Sequence, residues 1–280
     1  MTVAIITPYY QEPLEYLAQC HDSVRGQTYP DCVHLMIADG YPRPEINHWN
    51  VQHIQLPQAH RNYGDTPRAI GCLSAIAQQV EAIVFLDADN WYYPHHVETL
   101  LNLHRETQAP ICTSQRMFYR LDGTPMGLCP YTGQESPFID TNCLFVGREA
   151  FKVLHMWGEM PPIMHAVGDR YMAALFQHRQ FQRAHTPEVT VAYRTAFRGD
   201  YHLFGEVPPV GVKTKEDPNI PKAVAWWKQQ QGKRLAMVRL RQPSRIPHPS
   251  ELASLEQASP DRVPPGKAQR TEPPVEAQVK

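Results

Sequence analysis

The feature that most constrains the fold is the regular alternation of apolar strand-like runs and helical segments between residues 3 and 107. Four strands are predicted, at 3–7, 33–40, 51–57 and 82–89. Three helices are predicted between and after them, over 13–27, 65–80 and 94–107. This order is typical of a mainly parallel, doubly wound α/β sheet with helices on both faces.

The helix over 65–80 has the clearest pattern. Asp65 or Thr66 is placed to cap it, and Pro67 suits its first turn. Its apolar stripe is expected to consist of Ile70, Leu73, Ile76, Ala77 and Val80.

The pattern changes after residue 107. Further strands are predicted at 110–120, 138–146 and 189–194, with helices over 168–179 and 221–231, so the second part of the sheet is expected to be mixed. From residue 243 the sequence is dense in proline and polar residues and has almost no aromatics. We therefore predict one domain over 1–242, with halves 1–107 and 108–242, and a disordered tail over 243–280.

Composition narrows the range of partners and compartments. The formal net charge of −1 provides no overall basic field, which disfavours nucleic acid as a partner. The six cysteines include no C-x-x-C pair and are expected to be reduced. The N-terminal sequence lacks a signal-peptide pattern, and no run of roughly 18 apolar residues predicts a transmembrane segment. A cytoplasmic protein is therefore expected.

One segment bears on a membrane surface. Trp226 and Trp227 are followed by a series of lysines and arginines that extends to Arg245. Such a segment can make peripheral contact with an anionic membrane. The alternative, which the pattern favours, is a solvated helix face that leads into the tail.

The ends of three predicted strands carry Thr7-Pro8-Tyr9, Asp39-Gly40 and Asp87-Ala88-Asp89. The carboxyl ends of parallel strands share one edge of the sheet, where such folds bind ligands. Two carboxylates at i and i+2 can converge on one cation, and hard oxygen ligands suit Mg²⁺ or Mn²⁺. The alternative is structural, with Asp87 capping a turn and Asp89-Asn90 forming an Asx-turn.

Four segments in this order resemble a known family: "AIITPYYQEPLEYLAQCHDSVRGQTYP", "IADG", "RNYGDTPRAIG" and "FLDADN". They look like the nucleotide-binding half of a GT-A fold, family 2 glycosyltransferase. The resemblance covers residues 3–107 well, is looser to about 205 and is absent from the tail. It implies metal-dependent transfer of a sugar, with inversion, from a nucleotide diphosphate sugar to an acceptor hydroxyl on a glycan, a lipid or a small molecule.

The resemblance also implies roles for individual donor-side residues. The residues implied to hold the donor nucleotide are Thr7, Pro8, Tyr9, Glu12, Asp39, Arg68, Asp87, Ala88 and Asp89. Asp87 is implied to contact ribose or the metal, and Asp89 to bind the Mn²⁺ or Mg²⁺. The family often has Asn-Glu where this chain has Gln11-Glu12. Asp39-Gly40 as a simple turn and Arg68 as a solvated helix residue remain alternatives.

On the acceptor side, the resemblance implies a general base, usually the Asp of a Glu-Asp pair that opens a helix. The candidate is Asp169, although Gly168 replaces the Glu. A buried carboxylate there can take the acceptor proton, whereas the structural alternative is that Asp169 only caps the helix. Asp140 is a second acidic candidate, for acceptor binding or a turn. His202 is a candidate late metal or diphosphate ligand, or a structural histidine.

Two other functions are alternatives to a glycosyltransferase. A sugar-phosphate nucleotidyltransferase would need a glycine-rich, basic loop after the first strand, and "TPYYQEPLEY" has no glycine or lysine. A non-catalytic domain that binds nucleotide sugars is also compatible with the sequence, and Gly168 in place of Glu is its main support.

Overall fold

The structure is a computed structural model, and it describes residues 1–134, 136, 139–213 and 217–231. The strands within these residues are β1 Val3–Tyr9, β2 Cys32–Ala38, β3 Gln52–Gln55, β4 Ala82–Phe85, β5 Trp91–Tyr92, β6 Ile111–Tyr119, β7 Pro125–Leu128, β8 Leu144–Gly147 and β9 Arg183–Arg194. The α-helices are α1 Leu14–Arg25, α2 Asp65–Ala77, α3 His96–Thr107, α4 Met156–Glu159, α5 Gly168–His178, α6 Arg198–Leu203 and α7 Asn219–Gln231. Short 3₁₀ helices lie at Pro44–His48, Thr141–Cys143, Arg148–Val153 and Pro162–Val167.

These strands form one sheet in the order β3-β2-β1-β4-β8-β6-β9-β5, with β7 paired to β6. The first four are parallel to one another. β8 runs antiparallel to both β4 and β6, whereas β9 is parallel to β6. The predicted α/β fold, a mainly parallel doubly wound sheet with a mixed extension, is therefore confirmed.

The register of the parallel strands gathers their carboxyl ends. Tyr9 at the end of β1 pairs with Ala38 at the end of β2, and Ile6 pairs with Phe85 at the end of β4. The loops that follow these three strands therefore leave the sheet along one rim, as the sequence predicts.

Helices cover both faces of the sheet. α1 and α3 pack on the face that carries Val3, Ile5 and Val84. α2 packs on the opposite face, so closely that a Cβ on Gly71 would lie 2.7 Å from Ile6 Cγ2. Burial on both faces explains why β1 and β4 are continuous apolar runs.

The predicted cap of α2 was wrong, and its predicted apolar stripe was wrong in part. Gly64 occupies the cap position, and the first-turn N–H of Thr66 is accepted by Asn62 Oδ1 at 3.3 Å. Val80 is buried as predicted. Leu73, expected in the stripe, is 56% exposed. The buried face consists of Asp65, Pro67, Arg68, Ala69, Gly71, Cys72 and Ala75. Small residues are needed where the helix approaches the sheet, and the charged pair lies in the first turn, beside the rim.

The second half differs from prediction in detail. The strand expected at 138–146 begins only at Leu144, because Asp140 caps a 3₁₀ turn over Thr141–Cys143. β9 is longer than expected, and β5, β7, α4 and α6 were not predicted. None of the helices within the described ranges is both long and apolar enough to cross a membrane. The predicted tail over 243–280, its boundary at 242 and the basic residues from Lys233 to Arg245 lie outside the described residues.

Candidate active site

The acidic turn after β4 is held by side chains from two other elements. Arg68 of α2 donates Nη2 to Asp87 Oδ1 at 2.5 Å, and Asn142 donates Nδ2 to Asp87 Oδ2 at 2.9 Å. Asn142 Oδ1 also accepts the Asp87 backbone N–H at 2.7 Å. Both oxygens of Asp87 therefore have protein donors, and Arg68 balances its charge.

Asp89 has different surroundings. Burial, together with the negative charges of Asp87 and Glu12, raises the pKa of the Asp89 carboxyl to about 7. Within the described part of the chain, no other residue donates a hydrogen bond to this carboxylate. Asp89 is therefore the member of the pair that is better suited to an external cation.

The backbone of the acidic turn is fixed by Arg194, at the end of β9. Its Nη1 donates to the Asp89 carbonyl at 2.8 Å, and its backbone N–H donates to Asn90 Oδ1 at 2.8 Å. The guanidinium lies over the rings of Tyr16 and Trp91, with centroid distances of 3.9 and 4.9 Å. The role of Arg194 was not predicted from the sequence, in which an arginine at the end of a predicted strand is the only signal.

Arg68 is buried rather than solvated, so the structural alternative for this residue was wrong. Its Nη1 donates to the Tyr63 carbonyl at 2.8 Å and to Asp65 Oδ1 at 3.2 Å. Its guanidinium also lies 5.3 Å from the centroid of the Trp157 ring. Together with the bond to Asp87, these contacts fix Arg68 in one orientation at the rim.

Asp39 fastens the loop that follows β3. Its Oδ1 accepts the backbone N–H of His60 at 2.9 Å, and its Oδ2 accepts that of Arg61 at 3.1 Å. Gly40 has a φ of +81°, and a Cβ on it would lie 2.3 Å from the Ala59 nitrogen. Asp39-Gly40 is therefore more than a simple turn. Its predicted contact with base or ribose stays a prediction.

Three of the residues implied to hold the donor have inward-facing side chains. Thr7 is buried, with its Oγ1 2.9 Å from His34 Nε2. Tyr9 is buried, with its hydroxyl 2.6 Å from His53 Nε2. Ala88 packs in the same apolar cluster as Tyr9. The side chains of these residues support the rim from within.

Other side chains form the surface of the rim. Glu12 Oε2 accepts the Tyr10 backbone N–H at 2.6 Å. Pro8, in contrast, is buried and packs against the turn before α2. The Tyr10 and Tyr41 rings meet edge to face with centroids 4.7 Å apart, beside Arg61. Tyr10, Tyr41 and Arg61 were not predicted as site residues, although each lies in a loop that follows a parallel strand.

Asp169 lies in the first turn of α5. Val167 occupies the cap position without a side-chain cap, and Asp169 Oδ1 accepts the neighbouring Arg170 N–H at 2.7 Å, so Asp169 is not the helix cap. Burial, together with the charge of Asp140, raises the pKa of its carboxyl to about 7, although the Arg170 hydrogen bond and the charges of Arg170 and Arg68 oppose the shift. A carboxylate of this pKa suits proton transfer near neutral pH.

Asp140 is engaged on both oxygens. It forms a buried ion pair with Arg116 through Oδ2. Its Oδ1 accepts the backbone N–H and the Nδ2 of Asn142, both at 2.9 Å. Because Asn142 also binds Asp87, Asp140 supports the acidic turn and offers no free basic oxygen.

A cavity of about 1140 Å³ is lined by residues of the second half of the chain. It extends from the start of α5 to α7, and its lining includes the aromatic residues Tyr131 and Trp227 together with Val167, Arg170, Gln177 and Lys228. Its volume is that of a site for a molecule larger than a single sugar.

His202 lies on the exposed face of α6, where its Nε2 accepts a hydrogen bond from Arg198 Nε at 2.9 Å. Across residues 1–134, 136, 139–213 and 217–231, no three or more His, Cys, Asp or Glu side chains are grouped to hold a metal ion. The predicted set of Asp87, Asp89 and His202 does not form a preassembled cage, and metal binding stays a prediction.

The family model described as "Glycosyl transferase family 2" matches residues 4–157, more than half of the 280 residues. A search of curated proteins found no match.

Solved structures of S. aureus TarS are similar in fold. The 1–349 fragment in complex with UDP has 13% identity and a TM-score of 0.54, with 73% of this chain and 63% of that chain covered. The complex with UDP-GlcNAc has 11% identity and a TM-score of 0.54, with 70% and 59% covered. The chain thus spans less than two thirds of the length of either fragment.

Proposed function

The chain belongs to glycosyl transferase family 2, and on that premise we propose that it transfers a sugar from a nucleoside diphosphate sugar to an acceptor hydroxyl, with inversion. One observation carries the proposal. Arg68 Nη2 donates to Asp87 in the acidic turn at 2.5 Å, and its positive charge opposes the rise in the pKa of the Asp169 carboxyl in α5. This supports the proposal that a donor-side carboxylate and the general base belong to one site.

A divalent cation fits this arrangement if the donor completes its coordination. Mg²⁺ is usually bound through one or two carboxylates together with substrate phosphates. Among the described residues, no residue other than Asp89 itself donates to the Asp89 carboxylate, whereas both oxygens of Asp87 are already bonded. Asp89 is therefore the residue that would hold Mn²⁺ or Mg²⁺, and the ion would neutralise charge on the diphosphate leaving group.

Asp169 is the proposed general base. It takes the proton of the acceptor hydroxyl while that oxygen bonds to the anomeric carbon. The bond from that carbon to the diphosphate breaks on the opposite face, and the leaving group keeps the electron pair. Attack from the opposite face gives inversion. The acceptor is assigned to the cavity between α5 and α7, because its lining begins at Val167 and Arg170, on either side of the base.

A thermal-shift screen tests donor binding. UDP is the first candidate because TarS has been solved with UDP and with UDP-GlcNAc. At 100 times its dissociation constant, a ligand stabilises the fold by about 2.7 kcal/mol. The screen compares UDP, GDP, CDP, ADP and dTDP, each with Mn²⁺. We expect one of these nucleoside diphosphates to raise the melting temperature more than the others do. If none does so, with or without the metal, the proposal is wrong.

A non-catalytic nucleotide-sugar-binding domain remains the second candidate, since Gly168 departs from the family pattern. Release of nucleoside diphosphate from the sugar donor separates the two. An enzyme releases it, and the release depends on Asp169. A binding domain retains the intact donor.

A further inference from the structure

Asp65 is a buried carboxylate for which the proposed mechanism gives no role. It is 1% exposed and opens α2. Its Oδ1 accepts from Arg68 Nη1 at 3.2 Å, and its Oδ2 lies 2.8 Å from His165 Nδ1. Burial raises the pKa of this carboxyl, while the His165 hydrogen bond and the Arg68 charge oppose the rise. The carboxylate thus joins α2 to the segment that precedes α5.

Space for this carboxylate comes from Gly168. The backbone of Gly168 is ordinary helix, with φ −58° and ψ −37°, so its conformation does not require glycine. A Cβ there would lie 2.8 Å from Asp65 Oδ2 and 3.0 Å from Oδ1. Asp65 therefore fills the volume in which a side chain at position 168 would begin, immediately before Asp169.

We propose that Asp65 is a positioning residue that supplies, from α2, the carboxylate that position 168 lacks, and that it holds Arg68 against Asp87. This inference rests on the proposed function. Within the described residues, the Arg68 Nε is buried without a hydrogen-bond partner. The orientation of the Arg68 guanidinium therefore depends on the acceptors of its two terminal nitrogens, which among the described residues are Tyr63 O, Asp65 Oδ1 and Asp87 Oδ1.

The contact predicts a reversal of sign in a double-mutant cycle. In the parent, Gly168→Ala pushes a Cβ into the Asp65 carboxylate and should lower the melting temperature. In an Asp65→Ala background the space is free, so Gly168→Ala should raise it by a few degrees, as alanine does in helices. Gly199→Ala in α6 is the control, because a Cβ there meets nothing within 4 Å. Its effect should be the same in both backgrounds.

The positioning role predicts a change in donor binding that a purely structural role would not produce. Asp65→Asn keeps the shape but removes the charge that orients Arg68. We expect its affinity for UDP with Mn²⁺, measured by calorimetry well below the melting temperature, to fall about tenfold, the scale of one charge-assisted hydrogen bond. Asp65→Ala should lose at least as much, and adding Gly168→Glu to it should restore part of the affinity. Glu206→Gln, which breaks the Arg120–Glu206 ion pair, should leave UDP affinity unchanged.

The outcomes separate this inference from the proposed function. If the parent binds UDP and Asp65→Asn binds it equally well, the positioning role is wrong while the proposed function stands. If Gly168→Ala has the same sign in both backgrounds, the assigned contact is wrong. A parent that binds no nucleoside diphosphate overturns the proposed function, and the donor-side role of Asp65 with it.

Discussion

Asp87 and Asp89 are two residues apart, yet within the described residues the negative charge of Asp87 is compensated and that of Asp89 is not. The charge of Asp87 is balanced within the protein by Arg68, and Asn142 donates a hydrogen bond to its other oxygen. Asp89 has a pKa of about 7, well above the ordinary value of 3.8. A raised folded-state pKa means that the folded protein binds the proton more tightly, so this contribution to stability is lost as pH rises from about 4 to 7. At pH 8 an ionised Asp89 without a cation therefore opposes folding.

Asp89→Asn should accordingly have two effects at pH 8. Without metal, the melting temperature should rise by a few degrees, because an unfavourable charge is removed. The part of UDP affinity that depends on Mn²⁺ should disappear, as measured by calorimetry with Mn²⁺ and with EDTA. Asp87→Asn is the matched control and should lower the melting temperature, because it leaves Arg68 buried with less counter-charge. Equal UDP affinity of parent and Asp89→Asn in both conditions would exclude the metal role.

Asp169 sets the expected pH dependence of the reaction. A general base must be deprotonated, so turnover should rise with pH through about 7 and then level off. Asp169→Asn removes the base and should lower turnover by roughly 10²–10⁴-fold. UDP affinity and melting temperature at acidic pH should change little, because Asp169 is not the helix cap. If the variant retains parental turnover, the base lies elsewhere.

Among the elements, the loop between β3 and α2 shapes the rim most directly. It is fastened to β2 by Asp39, and the Ala59 backbone lies against Gly40. The sequence indicates the Asp-Gly turn but gives no sign of the segment packed on it. The reason is physical: the contact joins residues about 20 apart, and local turn propensity does not encode such a partner.

Gly40→Ala tests the importance of that contact. Its Cβ would lie 2.3 Å from the Ala59 nitrogen, so the loop must move. Gly123 has a similar φ of +83°, but a Cβ there meets only Arg194 Nη2, at 3.9 Å. Gly123→Ala therefore measures the backbone cost alone, which is of order 1–2 kcal/mol. We expect Gly40→Ala to lower both the melting temperature and UDP affinity well beyond Gly123→Ala. Equal effects of the two substitutions would mean that the loop packing is unimportant.

Across the chain, local patterns predict the parallel sheet and the rim, because burial on both faces forces continuous apolar strands. They fail where tertiary contacts override periodicity. The buried face of α2 contains Asp65 and Arg68, which bind each other. Arg68 also binds Asp87 in the turn after β4, and Asp65 binds His165 in the segment before α5. Arg194 reaches the acidic turn across more than 100 residues of sequence. Such charge pairing has no local signature, so the acidic turn is predictable and most of the residues that hold it are not.

The division of the chain provides the final prediction. Its C-terminal part, from about Pro243, is rich in proline and polar residues and too poor in aromatics to bury a core. A chain ending at Arg241 should therefore keep the parental melting temperature and UDP affinity, because the strands and helices that form the rim all lie before residue 232. Differential scanning calorimetry and calorimetric titration of both lengths measure this directly.

The matched control is a chain ending at Pro218, which removes α7 and with it Val224, Trp227 and Lys228 from the wall of the acceptor-side cavity. That shorter chain should lose melting temperature. A loss of several degrees in the Arg241 chain would show instead that the C-terminal residues pack on the domain and that the boundary at 242 is wrong.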